Sequence, residues 1–220
     1  GNALIEHNKE FSLHCNISNG DKIFYYTTTG WMMWNWLVGG LATGSTIYLF
    51  DGAPVYPKID VLLEYCQNKK INLFGVSAKY IDHLKNENFN AKNLDLSSIK
   101  IITSTGSPLV AESFEYVYNN LKKDVHLASI AGGTDLVGCL VLGNLFSNIY
   151  KGEIQGQSLG IDVDVLASTI GQYQELGCWT PHVEITRAAY EVTLDVFSHA
   201  GLIHKRHPFE AVCVSPPASG

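Results

Sequence analysis

A chain of 220 residues, 46% hydrophobic and 16% charged, is long enough to bury a core and too apolar for a disordered tail. Its formal charge of −6, with no basic run interleaved with aromatics, gives no support to a nucleic-acid partner, so an anionic ligand has to be held by local backbone donors. Cys15, Cys66, Cys139, Cys178 and Cys213 are odd in number and never in C-x-x-C spacing, which argues against a disulfide framework or zinc site and for reduced thiols in the cytoplasm.

The first residues are polar and mixed in charge, so no cleavable signal peptide is expected there. Residues 22–26 read as a short apolar strand, and Thr27-Thr28-Thr29-Gly30 turns into an aromatic helix over 31–41 that Gly44 closes. Residues 45–50 read as a buried strand, rich in β-branched and aromatic side chains. The run 23–50 carries no charge and is long enough to span a bilayer. Its Asn35, its threonines and glycines, and its natural break into strand, helix and strand favour a buried sheet-and-helix segment instead, so no membrane insertion is expected.

Asp51-Gly52-Ala53-Pro54 is a turn. Pro57 suits the first position of a helix that runs to about Lys69, where Lys69 and Lys70 favour its C-terminus. A strand over 72–76 and a helix over 78–85 follow, then a polar loop over 86–98 anchored by Leu94 and Leu96. Residues 100–104 form the next strand, and Gly106-Ser107-Pro108 opens a helix through Leu121. Residues 125–129 are a strand, and 136–142 and 160–166 read as two more. The alternation predicts an α/β fold, a mainly parallel sheet with flanking helices. From about Leu166 the pattern stops. Residues 188–197 read as a helix and 215–220 as a flexible tail. His204 and His207 are a close pair with no further ligands nearby to complete a metal site.

Ser129-Ile130-Ala131-Gly132-Gly133-Thr134-Asp135 carries the strongest chemical signal. The glycines let a ligand approach the backbone, the hydroxyl can bond a phosphate, and the carboxylate can hold Mg²⁺. Alone the segment is also an ordinary turn. In a parallel sheet, however, it would emerge at the same edge as the loops 27–31 and 103–108, so that three loops converge on one ligand. Thr105-Gly106-Ser107-Pro108 offers a close-approaching backbone and a helix N-terminus, or, more plainly, Ser107 as an N-cap. Trp31, Met32, Met33, Trp34 and Trp36 either wall an apolar pocket or pack in the core.

Residues 26–36 (Tyr-Thr-Thr-Thr-Gly-Trp-Met-Met-Trp-Asn-Trp), with Ala42-Thr43-Gly44, Asp51-Gly52, the segment 129–135 and Tyr150-Lys151-Gly152-Glu153-Ile154-Gln155, resemble the acetoacetyl-CoA synthetases. These belong to the adenylate-forming acyl-CoA synthetase superfamily, and the resemblance covers roughly residues 1–165. It implies part of the large N-terminal, AMP-binding domain and an ATP-dependent ligation of acetoacetate to coenzyme A. In that reaction ATP forms an acyl-adenylate and pyrophosphate, and the thiol then displaces AMP. The implied ligands are ATP, Mg²⁺ and coenzyme A, all small molecules.

The resemblance also implies roles for individual residues. Gly106, Ser107 and Pro108 would lie against the adenine. Ala131, Gly132, Gly133 and Thr134 would flank the adenylate, with Thr134 on its phosphate. Asp135 stands where related enzymes usually place a Mg²⁺-binding Glu, which makes Thr134 and Asp135 the expected catalytic residues. Trp31, Met32, Met33, Thr105 and Gly132 would line the acyl pocket. Acetyl-specific relatives carry an indole about where Gly132 lies, so the glycine is expected to leave room for a longer acid, and Gly132→Trp to shift preference toward acetate. The family's phosphate loop would precede residue 1. Its ribose-binding aspartate, hinge and C-terminal lysine domain would follow, and residues 166–220 do not resemble that continuation. The chain by itself is therefore expected to bind rather than turn over, and a non-catalytic nucleotide- or acyl-binding remnant is the alternative.

Overall fold

Strand residues alternate between two apolar faces. Ile23, Tyr25, Leu73, Ile101 and Ala128 point one way, and Phe24, Phe74, Ile102 and Leu127 the other, each set inside its own buried cluster. Near-continuous apolar runs of this kind belong to strands covered on both sides. The computed structural model, which describes residues 1–163, shows that arrangement. Five parallel strands, β1 (Lys22–Tyr25), β2 (Thr46–Tyr48), β3 (Leu73–Ser77), β4 (Ile101–Thr105) and β5 (His126–Ser129), lie in the order β2-β1-β3-β4-β5. Register runs Ile23 to Leu73 to Ile101 to His126 across the four longest.

Three helices cover one face: α3 (Val61–Lys69) with Leu62, Leu63 and Cys66, α4 (Ala78–Asn86) with Ile81 and Leu84, and α5 (Ala111–Tyr116) with Phe114. The other face carries α1 (Asn2–Lys9), prolonged by a wider π-helical turn over Glu10–His14, and α2 (Met32–Gly39). A small antiparallel sheet, β6 (Ala131–Gly133), β7 (Gly138–Leu142) and β8 (Gly156–Gln157), packs its Cys139 and Leu142 into the same cluster as α2.

Several expectations hold. The uncharged run 23–50 is strand, helix and strand, and no helix among the described residues is long and apolar enough to cross a membrane. Gly44 closes the α2 region with φ +79. Leu96 is buried and Leu94 packs against the same core, anchoring the 86–98 loop. Ser77 caps α4 by accepting the Tyr80 N–H at 3.3 Å. Ser77→Ala is expected to lower stability by about 1 kcal/mol, read as a lower urea midpoint.

Other expectations need correction. Residues 45–50 are an edge strand of three residues with Thr46 exposed, because β2 pairs on one side only. The helix expected at Pro57 starts at Val61, after turns over 54–60. The helix expected from Gly106 starts at Ala111, since Leu109 is drawn into the core first and Val110 is extended at its N-cap. The strand expected over 136–142 starts at Gly138, after the turn over 134–137, and is antiparallel. The strand expected over 160–166 is absent from 160–163, and β8 lies earlier. The rest of that strand, Cys178, Cys213, the 188–197 helix, His204, His207 and the 215–220 tail lie outside the described residues.

Candidate functional site

Because β1, β4 and β5 run parallel, the segments that follow them leave the sheet at one edge. Residues 27–31 lead into α2, 106–110 lead to α5, and β5 runs into the β6–β7 hairpin. The expected glycine loop is thus itself a short strand. Two bonds fix where it starts: the Ile130 N–H donates to Ser104 O and the Thr105 hydroxyl to Ile130 O, each at 2.8 Å.

Two adjoining cavities open between these segments and share Thr105, Gly106, Ile130 and Gly132. The larger, about 380 Å³, is lined also by Ser107, Pro108, Ala131, Gly152 and Ile154. The smaller, about 130 Å³, is walled by Trp31, Met32, Met33, Gly133, Thr134 and Cys139. Gly106 holds φ +90, and the Trp31 ring lies against it, 3.6 Å from where a Cβ would stand. Met33 is buried, while Trp36 packs in the core and Trp34 against it, and neither tryptophan lines either cavity.

The structure therefore brings together every residue named for the acyl pocket in one cavity, and Gly106, Ser107, Pro108, Ala131 and Gly132 in the other. Asp135 stands apart. It is exposed on the hairpin turn, where the Val137 N–H donates to Thr134 O at 3.1 Å, and it lines neither cavity.

The role expected for Gly132 changes. A Cβ there would stand 2.1 Å from Gly138 O and 2.8 Å from Cys139 Cα, both backbone atoms of β7. The hairpin is bulged at this point, pairing Gly132 with Cys139 but Ala131 with Val141. Glycine is needed for strand approach, so the space in the cavity is not set by the size of a side chain at 132.

None of the residues lining either cavity is charged. Such walls suit a flat ring or a small, mostly apolar group, and would leave any phosphate to backbone N–H groups, the Thr134 hydroxyl and an added cation. The Cys139 thiol is pushed well up, chiefly by burial and then by the nearby Glu10 carboxylate, so it is no nucleophile near neutrality. Among the described residues no three His, Cys, Asp or Glu side chains cluster as a metal cage. A lone exposed carboxylate still fits a Mg²⁺ that keeps its waters and rides on a nucleotide's phosphates.

Sequence reasoning assigned no role to Gly152, Ile154, Cys139 or Glu10. Gly152, at φ +82, lies within the 150–155 motif, and that motif is the sequence signal for the larger cavity.

No family model matches the chain. It is 51% identical over 166 residues to the acetoacetyl-coenzyme A synthetase of Rhizobium meliloti (strain 1021), covering 75% of this chain and 26% of that protein. It is 44% identical over 186 residues to the acetoacetyl-CoA synthetase of Gallus gallus, covering 82% and 28%. The solved acetoacetyl-CoA synthetase from Streptomyces lividans matches with a TM-score of 0.69 at 40% identity, over 73% of this chain and 25% of that one. The chain spans about a quarter of the length of these relatives.

Proposed function

Since the chain belongs to the acetoacetyl-CoA synthetases, adenylate-forming enzymes of which it spans about a quarter, we propose that it forms the adenylate- and acyl-binding part of an ATP-dependent acetoacetate–CoA ligase. The observation that carries this is the pair of adjoining cavities at the C-terminal edge of the sheet, with shared Thr105, Gly106, Ile130 and Gly132. The adenine lies in the larger cavity against Gly106, Ser107 and Pro108, and acetoacetate in the smaller between Trp31, Met32, Met33 and Thr105. Their reacting ends then meet at the shared rim, and Thr134, on the wall of the smaller cavity, presents its hydroxyl to the α-phosphate.

Held this way, a carboxylate oxygen of acetoacetate attacks the α-phosphorus. The new O–P bond forms as the bond to pyrophosphate breaks, and the thiol of coenzyme A later takes the acyl carbon and releases AMP. Positioning and charge stabilisation make up most of such catalysis. Asp135, beside Thr134, would hold Mg²⁺, which supplies charge neutralisation on the phosphates when bound. The chain works on small molecules, and buried, unpaired Cys15, Cys66 and Cys139 suit a cytoplasmic setting.

The test is acetoacetate-dependent pyrophosphate release, measured beside ATP binding on the full chain. Asp135→Ala is expected to weaken Mg²⁺-dependent ATP binding about ten-fold or more while shifting stability by less than about 0.5 kcal/mol, because the residue is exposed. Saturable ATP binding without pyrophosphate would make the chain a binding remnant. Absence of ATP binding would overturn the assignment of the larger cavity.

A further inference from the structure

We propose that Glu10 is a positioning residue that sets the width of the acyl cavity, a role that rests on the proposed assignment of that cavity to acetoacetate. The side chain is fully buried and lines neither of the two cavities. It works through two bonds: Oε2 accepts the Trp36 indole N–H and Oε1 accepts the Cys139 backbone N–H, both at 2.6 Å. Trp36 stands on α2 three residues beyond Met33, and Cys139 pairs with Gly132 across the hairpin. Met33 and Cys139 both wall the smaller cavity. One carboxylate thus ties together two walls that come from segments a hundred residues apart in sequence.

The surroundings require a carboxylate there. β8 pairs only with Val141 and Leu142, so it does not reach the Cys139 N–H, and Glu10 takes it. An ionised carboxylate accepts at both oxygens and donates at neither, whereas glutamine would turn an NH₂ toward one of the two N–H donors. The titratable groups facing Glu10 are Glu6 and Lys9 on its own helix, Cys15 just beyond it, and Cys139 on β7. Lys9 is engaged elsewhere, donating to Glu6, to Ser158 Oγ at 2.6 Å and to Leu159 O at 2.8 Å. Burial is the largest influence on Glu10 and pushes its carboxyl up to about 7, while the two N–H donors pull it down. Protonation near neutrality would weaken both ties at once.

The experiment uses the full chain, with acetoacetate and ATP as separate probes in calorimetry and ¹⁵N-labelled indoles in NMR. Glu10→Gln is expected to weaken acetoacetate at least about ten-fold, the cost of one hydrogen bond to a charged group, and to leave ATP within about two-fold. In the unmodified chain, acetoacetate affinity is expected to fall as pH drops through about 7. The indole resonance that Trp36→Phe removes should titrate alongside it, with neither change seen in Glu10→Gln. Equal losses for both ligands would reduce Glu10 to scaffolding and overturn the proposal. Unchanged acetoacetate binding in Glu10→Gln would overturn it while leaving the cavity assignment standing. If the unmodified chain binds ATP but no acetoacetate, the cavity assignment fails and this role fails with it. Should Glu10→Gln not fold, the pH dependence of the unmodified chain decides alone, and a flat acetoacetate profile with a non-titrating Trp36 resonance overturns the role.

Discussion

Gly132→Ala is expected to destabilise the protein by about 3 kcal/mol, at the upper end of what overpacking costs. The added Cβ meets Gly138 O and Cys139 Cα, at 2.1 and 2.8 Å. These are backbone atoms, so no rotamer change relieves the overlap, and β7 has to move off β6. Both cavities use Gly132, so acyl and nucleotide binding should weaken together. Gly133→Ala is the control: a Cβ there meets nothing within 4 Å, and the change should stay within about 0.5 kcal/mol. Urea unfolding of the two variants beside the parent measures the difference. Gly132→Trp, by the same reasoning, should lose binding altogether rather than exchange acetoacetate for acetate. A folded Gly132→Trp with raised acetate preference would refute this account of the glycine.

Glu10 makes stability depend on pH in a direction opposite to that of a salt-bridged carboxylate. Its carboxyl lies at about 7 when folded against 4.5 ordinarily, raised chiefly by burial. Below pH 4.5 it is protonated in both states and contributes nothing to the slope. Between 4.5 and 7 the unfolded chain releases the proton first, so the folded state is favoured less as pH rises. Above 7 the full penalty is present, about 3 kcal/mol from the displacement between the two values. Glu10→Gln has no such titration. The stability of the parent minus that of Glu10→Gln should therefore fall by about 3 kcal/mol between pH 4.5 and 8, then level off. A constant difference across that range would mean that the carboxylate is not held in a dry environment.

Much of the sheet is legible in the amino-acid sequence alone. The runs around Phe24, Phe74, Ile102 and Leu127 carry the apolar content that parallel strands need on both faces, and the helix expected over 78–85 is α4. The convergence of three loops is legible too, because parallel strands leave no other edge for them. The first helix is not. Its buried residues, His7, Glu10, Phe11 and His14, recur at helical spacing, but three of the four are polar. They are buried because distant partners receive them: His7 donates to Val137 O, and His14 Nδ1 donates to Gly143 O at 2.8 Å while its Nε2 accepts the Leu159 N–H. No local pattern announces such partners.

The amino-acid sequence by itself determined the α/β class, the strand cores, the uncharged run's division into strand, helix and strand, and the residue types gathered at one sheet edge. All of these depend on periodicity and on neighbours within a few positions. Only the tertiary structure decided that the glycine segment is half of a hairpin and that a Cβ at Gly132 would run into the backbone of β7. It likewise decided that Asp135 stands outside both cavities, and that Glu10 joins α2 to β7. Each of these is a contact between segments far apart in the chain, and what such a contact costs or contributes depends on the atoms that meet there, not on the residues beside it in sequence.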